Sequence, residues 1–189
     1  MQIKIRITGG FLRNRNILLN TKFNVRPTLN RCRQYLFDVL INTIFNNNEV
    51  KVLDVCAGSG AFGIEAISRG ATKAFFLEIQ KELYLSIKNH LNKFNIHNQA
   101  IIYNKNALTP PKGEPVNVVF IDLPYDSSFL WHKIIRNLIK NQWISFETII
   151  ILETHKEYKF PLCKLENLSL KLLREKIIAN SKFIFLEKI

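Results

Sequence analysis

From Lys51 onward the chain repeats one pattern: a short, almost wholly apolar run, a segment with apolar residues at helical spacing, then another apolar run. VLDV (52–55), KAFFLE (73–78), AIIYN (100–104), Val116 to Ile121 and TIIILE (148–153) are short and rich in β-branched or aromatic residues, so each is a predicted strand. AFGIEAISR (61–69), stopped at Gly70, is a predicted helix. A second helix carries Leu83, Ile87, Leu91 and Phe94 on one face and ends near Asn95, and a third runs from about Ser128 to Lys140. Strands that are apolar on both faces and separated by helices specify an α/β fold whose parallel sheet is covered on both sides. The tail breaks the pattern: LSLKLLREKII and SKFIFLEKI flank Ala179-Asn180 as a closing antiparallel hairpin. No internal repeat or low-complexity linker divides the 189 residues, so one domain is expected: residues 1–48 as a basic arm and helix, 49–189 as the core.

The first fifth of the chain reads differently. QIKIRIT (2–8) alternates with period two, meets Gly9-Gly10, and is followed by Ile17-Leu18-Leu19, which predicts a strand or hairpin. NVRPT (24–28) is a turn, and Thr28 or Asn30 is expected to cap a helix carrying Leu36, Val39, Leu40, Ile44 and Phe45 as far as Asn46-Asn47-Asn48. The formal net charge is +12, and Lys4, Arg6, Arg13, Arg15, Lys22, Arg26, Arg31 and Arg33 all precede Asp38, the first acid. A segregated basic arm attracts polyanions by releasing their counterions, and an Arg-rich one suits bidentate phosphate contact, so nucleic acid is the expected partner. No apolar run approaches a membrane span and the N-terminus lacks an export signal, which predicts a cytoplasmic protein with no membrane partner. Cys32, Cys56 and Cys163 are odd in number and scattered, so they are expected to be reduced and mostly buried. With His90, His97, His132 and His155 they show no metal-ligand spacing, so no metal is expected. Trp131 and Trp143 are expected to pack in the core.

Two stretches carry chemistry. DVCAGSGAFG contains G-x-G-x-x-G in Gly58, Gly60 and Gly63 after the first strand, with Glu78 ending the second strand about twenty residues on. The glycines alone require only a tight turn and close approach of a ligand to backbone. Asp54 discriminates: an acid before this loop repels a pyrophosphate but attracts the ammonium of S-adenosylmethionine. The expected cofactor contacts are Asp54, Ala57, Gly58, Ser59, Gly60 and Asp122, with Glu78 on the ribose hydroxyls and Asn106 near the adenine edge.

The second stretch, Asp122-Leu123-Pro124-Tyr125, ends the fourth strand. Ligands of open parallel sheets bind beyond the strands' carboxyl ends, so Asp122 and the glycine loop face one pocket. The lone pair of an exocyclic base amine is delocalised into the ring. A carboxylate accepting one N–H and a backbone carbonyl accepting the other turn that lone pair toward a donor methyl, and the carboxylate takes the released proton. Tyr125 offers a flat face for an unpaired base.

These residues resemble a known family. Asp122-Leu123-Pro124-Tyr125 is similar to the Asp/Asn-Pro-Pro-Tyr/Phe motif of amino-group methyltransferases, and LDVCAGSGAFGIEAISRGA (53–71) to the cofactor loop of the RsmD family. RITGGFLRNR (6–15) resembles that family's basic Gly-Gly arm and RPTLNRCRQYLF (26–37) its Arg-Pro-Thr-x-x-Arg-x-Arg helix entry. The resemblance implies a class I, Rossmann-like methyltransferase fold with a seven-stranded, mostly parallel sheet. It implies methylation of N2 of a guanine in bacterial 16S ribosomal RNA (the guanine-966 type), within the small subunit or an assembly intermediate, by a monomer. It further implies that Asp122 and the Leu123 carbonyl grip the amine, and that Arg6, Arg13, Arg15, Arg26, Thr28, Arg31 and Arg33 meet the RNA. Two positions depart from the pattern: Leu123 replaces the first motif proline, restoring an N–H, and Asn14 stands where the arm has glycine, predicting a different bend. The alternative activities are methylation of an amino group of DNA adenine or protein glutamine, and RNA binding in ribosome assembly without catalysis.

Overall fold

A computed structural model of the chain describes residues 2–23, 28–45 and 49–189, without the side chains of Thr43, Tyr125, Asp126 and Ser128. The expected turn at 24–27, with Arg26, and the Asn46-Asn47-Asn48 stop lie outside the described residues.

Among the described residues, nine strands form two sheets. β1 (Gln2–Arg6) and β2 (Asn16–Asn20) pair antiparallel as the expected hairpin. The large sheet contains β3 (Lys51–Val55), β4 (Lys73–Leu77), β5 (Ala100–Tyr103), β6 (Val118–Asp122), β7 (Ile149–His155), β8 (Leu170–Ile178) and β9 (Ser181–Lys188). Its order is β5-β4-β3-β6-β7-β9-β8. The first five neighbours are parallel and β9 runs antiparallel to both β7 and β8. The chain order reverses between β3 and β6, which makes their carboxyl ends the switch point where ligands gather. The helices are α1 (Asn30–Thr43), α2 (Ala61–Ser68), α3 (Lys81–Lys93), α4 (Trp131–Lys140) and the short α5 (Cys163–Glu166).

Period-two alternation sorts each strand's side chains between two cores. Val52, Val118, Phe120 and Ile151 join the core beneath α1, α2 and α3, whereas Leu53, Val119, Ile121 and Leu152 join the one beneath α4. Trp131 and Trp143 are fully buried in the second core, as expected. On the first, Phe62 stacks on Phe120 at 4.3 Å and on Phe37 at 5.1 Å, linking α2, β6 and α1. No helix among the described residues is long and apolar enough to cross a membrane.

Several boundaries differ from the expected ones for local reasons. The fourth strand starts at Val118, because the Val116 N–H is used on the Trp143 carbonyl. The helix expected from Ser128 starts at Trp131, after a 3-10 segment from Tyr125 to Leu130. α1 has no side-chain cap and begins after Leu29: the Thr28 hydroxyl turns toward Glu153 and Asn30 Oδ1 accepts from Arg33. Of the cysteines only Cys32 is buried; Cys56 is half-buried and Cys163 exposed. His90 is a satisfied core histidine that accepts the Leu18 N–H and bonds the Ser86 carbonyl, tying β2 to α3.

The hairpin is built into the core rather than appended to it. Ile5, Ile7, Leu12, Ile17 and Leu19 are buried with α1 and α2. Gly10 has φ +74° and lies so close to Ser68 that an added Cβ would sit 1.7 Å from its carbonyl oxygen, so only glycine fits this turn. Asn14 keeps the left-handed conformation of a glycine (φ 68°), which asparagine tolerates; no different bend is needed there.

Arg33 corrects the expectation that it meets phosphate. Its side chain is 1% exposed, and Nε donates to Glu65 Oε2 at 3.1 Å within α2. Nη1 donates to the Thr28 carbonyl at 2.7 Å, and Nη2 to the Arg6 carbonyl at 2.6 Å and to Asn30 Oδ1. Glu65 also accepts from Arg69 and from Thr8. A buried charge is tolerated only when paired and hydrogen-bonded, and here the bonds reach β1, α2 and the segment before α1 as well as Asn30 of the same helix. Arg33→Ala is therefore expected to destabilise the fold by about 3–5 kcal/mol, measured by denaturant unfolding.

Candidate active site

The carboxyl ends of β3, β4 and β6 open onto a cavity of about 510 Å³. Asp54, Ala57, Gly58, Ser59, Glu78, Asn106 and Asp122 line it, together with Cys56, Leu123, Pro124, Thr28 and Glu153. The glycine loop and the Asp-Leu-Pro segment thus meet, as expected of adjacent parallel strands. Gly60 is set behind the wall as the left-handed N-cap of α2 (φ 71°). Gly63 packs under Phe76, whose ring would lie 2.3 Å from an added Cβ, so glycine is needed for α2 to approach the sheet.

Asp54 is 2% exposed and accepts the Gly63 N–H at 3.0 Å, which anchors the first turn of α2. Burial pushes its carboxyl up to about 8, against the opposing pull of that N–H, and Glu78 adds a further upward push. Glu78 is also buried; its Oε2 accepts the Gly58 N–H at 2.7 Å and its Oε1 the Gln80 N–H at 2.8 Å. A carboxylate has about four lone-pair sites, so capacity remains on each oxygen for hydroxyls. Asn106 turns its Oδ1 to the Leu108 N–H, and its amide N–H₂ group is not used by that bond. Burial and the Glu78, Asp122 and Asp54 carboxylates push the Cys56 thiol up to about 12, which leaves it unfit as a nucleophile.

Asp122 ends β6 in register with Glu153 of β7. Glu153, which the sequence reading did not single out, is 5% exposed and shares the cavity. Leu123 is buried in the wall, and the Pro124 carbonyl accepts the Ser127 N–H to start the 3-10 segment. Tyr125 begins that segment, and its side chain lies outside the described ones.

The sequence profile of the family described as "Conserved hypothetical protein 95" matches residues 5–187. A Buchnera aphidicola protein named "Ribosomal RNA small subunit methyltransferase D" is 38% identical over 82% of this chain and 80% of its own. The chain belongs to the RsmD family. The Escherichia coli K12 protein of the same name is 34% identical, covering 84% of this chain and 78% of that one. The solved structure of "Putative methyltransferase yhhF from Escherichia coli" superposes with a TM-score of 0.81 at 31% identity, over 98% of each chain. The "putative methylase HI0767 from Haemophilus influenzae" gives 0.75 at 28% identity, over 98% of this chain and 99% of that one. The RsmD chain thus has the class I methyltransferase fold, with its mostly parallel seven-stranded sheet and antiparallel terminal hairpin.

The basic residues of this RsmD chain separate into distinct settings. Arg6, Arg13 and Arg31 are exposed and converge with Thr8, Asn14, Asn30 and Gln34 around a second cavity of about 410 Å³. Arg15 is exposed elsewhere, its guanidinium 6.0 Å from the Phe94 ring centroid. Arg33 is interior, and Thr28 faces the acidic cavity rather than the basic one.

The state of Asp54 yields a test. An unfolded aspartate releases its proton near 3.8, whereas the folded one holds it to about 8. Between those values the folded chain binds more protons, so this group's contribution to stability is full at low pH and is lost as pH rises toward 8. Melting temperatures of the wild type are expected to fall relative to those of Asp54→Asn from pH 5 to pH 8; a constant difference would show that the folded Asp54 is already ionised at pH 5.

Proposed function

We propose that the protein transfers a methyl group from S-adenosylmethionine to N2 of a guanine in 16S ribosomal RNA, the guanine-966 type, within the small subunit or an assembly intermediate. One observation carries the reading: Asp122 shares a cavity with the glycine loop and Glu78. The names of the RsmD relatives support ribosomal RNA as the substrate class. The enzyme would act as a cytoplasmic monomer.

The residues fit the donor. Asp54 is a buried acid whose carboxyl is pushed up, and a neighbouring ammonium would stabilise its ionised form. Glu78 and the backbone of Ala57, Gly58 and Ser59 suit the ribose and the methionine part, and the Asn106 amide suits the adenine edge. When bound, S-adenosylmethionine supplies an electrophilic methyl carbon on a positively charged sulfur.

The chain's own groups then position the amine. Asp122 accepts one N–H of guanine N2 and the Leu123 carbonyl the other, which aims the nitrogen lone pair at the methyl carbon. Leu123 precedes Pro124 and so favours the extended backbone this requires. Asp122 takes the proton released as the new bond forms. Tyr125 stacks the base, and Arg6, Arg13 and Arg31, with Arg15 and Arg26, grip phosphates.

Two measurements test this reading. Asp122→Ala should slow single-turnover methylation of unmodified small subunits by about 10²-fold or more, with affinity for S-adenosylhomocysteine within about twofold of wild type. Turnover near the native rate would remove Asp122 from the mechanism. Replacing Arg13 and Arg15 with Ala should weaken RNA binding and make log K against log salt shallower by roughly 1–2. An unchanged slope would take both residues out of the interface.

A further inference from the structure

The start of α4 holds residues that its own geometry disfavours. A helix N-terminus carries partial positive charge and is stabilised by acids in its first turn. The first turn of α4 has none: it holds Trp131, His132 and Lys133, with Arg136 one turn on, and Lys133 and Arg136 are exposed. A further cation is brought in from outside the helix. Trp131 stacks on Phe160 at 4.8 Å and donates to the Tyr158 hydroxyl at 3.1 Å, and the segment so anchored leads to Lys164, whose Nζ lies 3.4 Å from His132 Nδ1. Burial, and after it the charges of Lys164, Lys133 and Arg136, hold the His132 imidazole below the ordinary histidine range, against a bond to the Phe129 carbonyl. Among the described residues no carboxylate pairs with Lys133, Arg136 or Lys164. Beside these charges Phe129 is 56% exposed, an apolar ring left in water just before the helix. Ser127, Leu130 and Ile134 line the donor cavity, so the ring and the cations border that cavity.

We propose that this face of α4 is a second contact for the RNA, with Phe129 stacking an unpaired base next to the target guanine and Lys133, Arg136 and Lys164 meeting the adjoining phosphates. The proposal rests on ribosomal RNA being the substrate. Three physical considerations support it. Cations set against a helix dipole and against one another lower stability, and a bound polyanion relieves both repulsions. An exposed aromatic ring among cations holds single strands without reading their sequence, base on ring and phosphate on charge. The place also complements the hairpin: β1 and β2 pack with α1 and α2 against one side of the sheet, α4 covers the other, and the cavity opens at the strand ends between them. A target nucleotide drawn into that opening has a neighbour on either side, so one contact on each face grips the strand both before and after it.

The test uses full-length Phe129→Ala, Phe129→Tyr and a double variant carrying Lys133→Gln and Arg136→Gln. It measures binding to naked 16S RNA and to unmodified small subunits across a salt series, single-turnover methylation against subunit concentration, affinity for S-adenosylhomocysteine, and melting temperature. Phe129→Ala should weaken binding to both probes, and raise the subunit concentration giving half the maximal rate, by about tenfold, while Phe129→Tyr, which keeps the ring, stays within about twofold. The double variant should make log K against log salt shallower by roughly 1–2 and should melt no lower than native, since it removes cations that oppose the helix dipole. The rate at saturating subunit and the product affinity should hold within about twofold throughout, because none of these side chains lines the donor cavity. Native affinity and salt slope in Phe129→Ala and the double variant would overturn the proposal while leaving the methylation reading intact. So would a loss confined to whole subunits, with naked RNA bound as by wild type, which would give the face to a ribosomal protein instead. A wild type that methylates no small subunit would overturn the underlying reading, and the variants' affinities for naked RNA would then decide this face by themselves.

Discussion

Parallel pairing places residues at the same height on neighbouring strands, and in this sheet that rule brings acids together. Asp54, Asp122 and Glu153 project to the face shared with Val52, Phe120 and Ile151, near the carboxyl ends of three adjacent strands. Glu78 follows β4 and closes the group. Burial makes ionisation costly at Asp54, and the nearby Glu78 carboxylate adds to that cost, so its carboxyl is pushed above the usual range. A pocket of this polarity favours a cation and disfavours a pyrophosphate, although its glycine loop has the form that dinucleotide sites use. The choice of ligand class therefore lies in the strand ends, and the loop supplies only access.

Arg33 links this acidic mouth to the basic side of the molecule. Its guanidinium touches β1 through the Arg6 carbonyl, α2 through Glu65, and the segment before α1 through the Thr28 carbonyl. The backbone of Arg6, whose side chain reaches the basic cavity, is thus two hydrogen bonds from Thr28, whose hydroxyl reaches the acidic one. An RNA strand held by the hairpin would be held relative to the reacting groups by the same interior ion.

Much of this was legible in the sequence. The five apolar runs, their helical spacers and the terminal hairpin were visible because each depends on local periodicity, and the order of acid, glycine loop and second acid followed from them. Charge counting treats every arginine as surface and so misplaces Arg33; its partner Glu65 lies in another helix, and only the folded chain brings them together. Thr28 has the composition of a cap but is drawn away by Glu153, 125 residues later. Glu153 itself left a signal: an acid ending an apolar strand beside the Asp122 strand is costly unless it is used. Asn14 departs from the family pattern in type but not in conformation, since asparagine reaches the backbone angles that glycine would supply.

The sheet ends on one side at the outer strand of the terminal hairpin. β8 carries Lys171, Arg174, Glu175 and Lys176 on exposed positions, and its pairing with β9 slips by one residue between Leu172 and Arg174. Such an irregular, charged border makes a poor template for docking another chain's backbone. Addition of a further strand at this edge is therefore disfavoured by the backbone slip and by the charges it would have to bury.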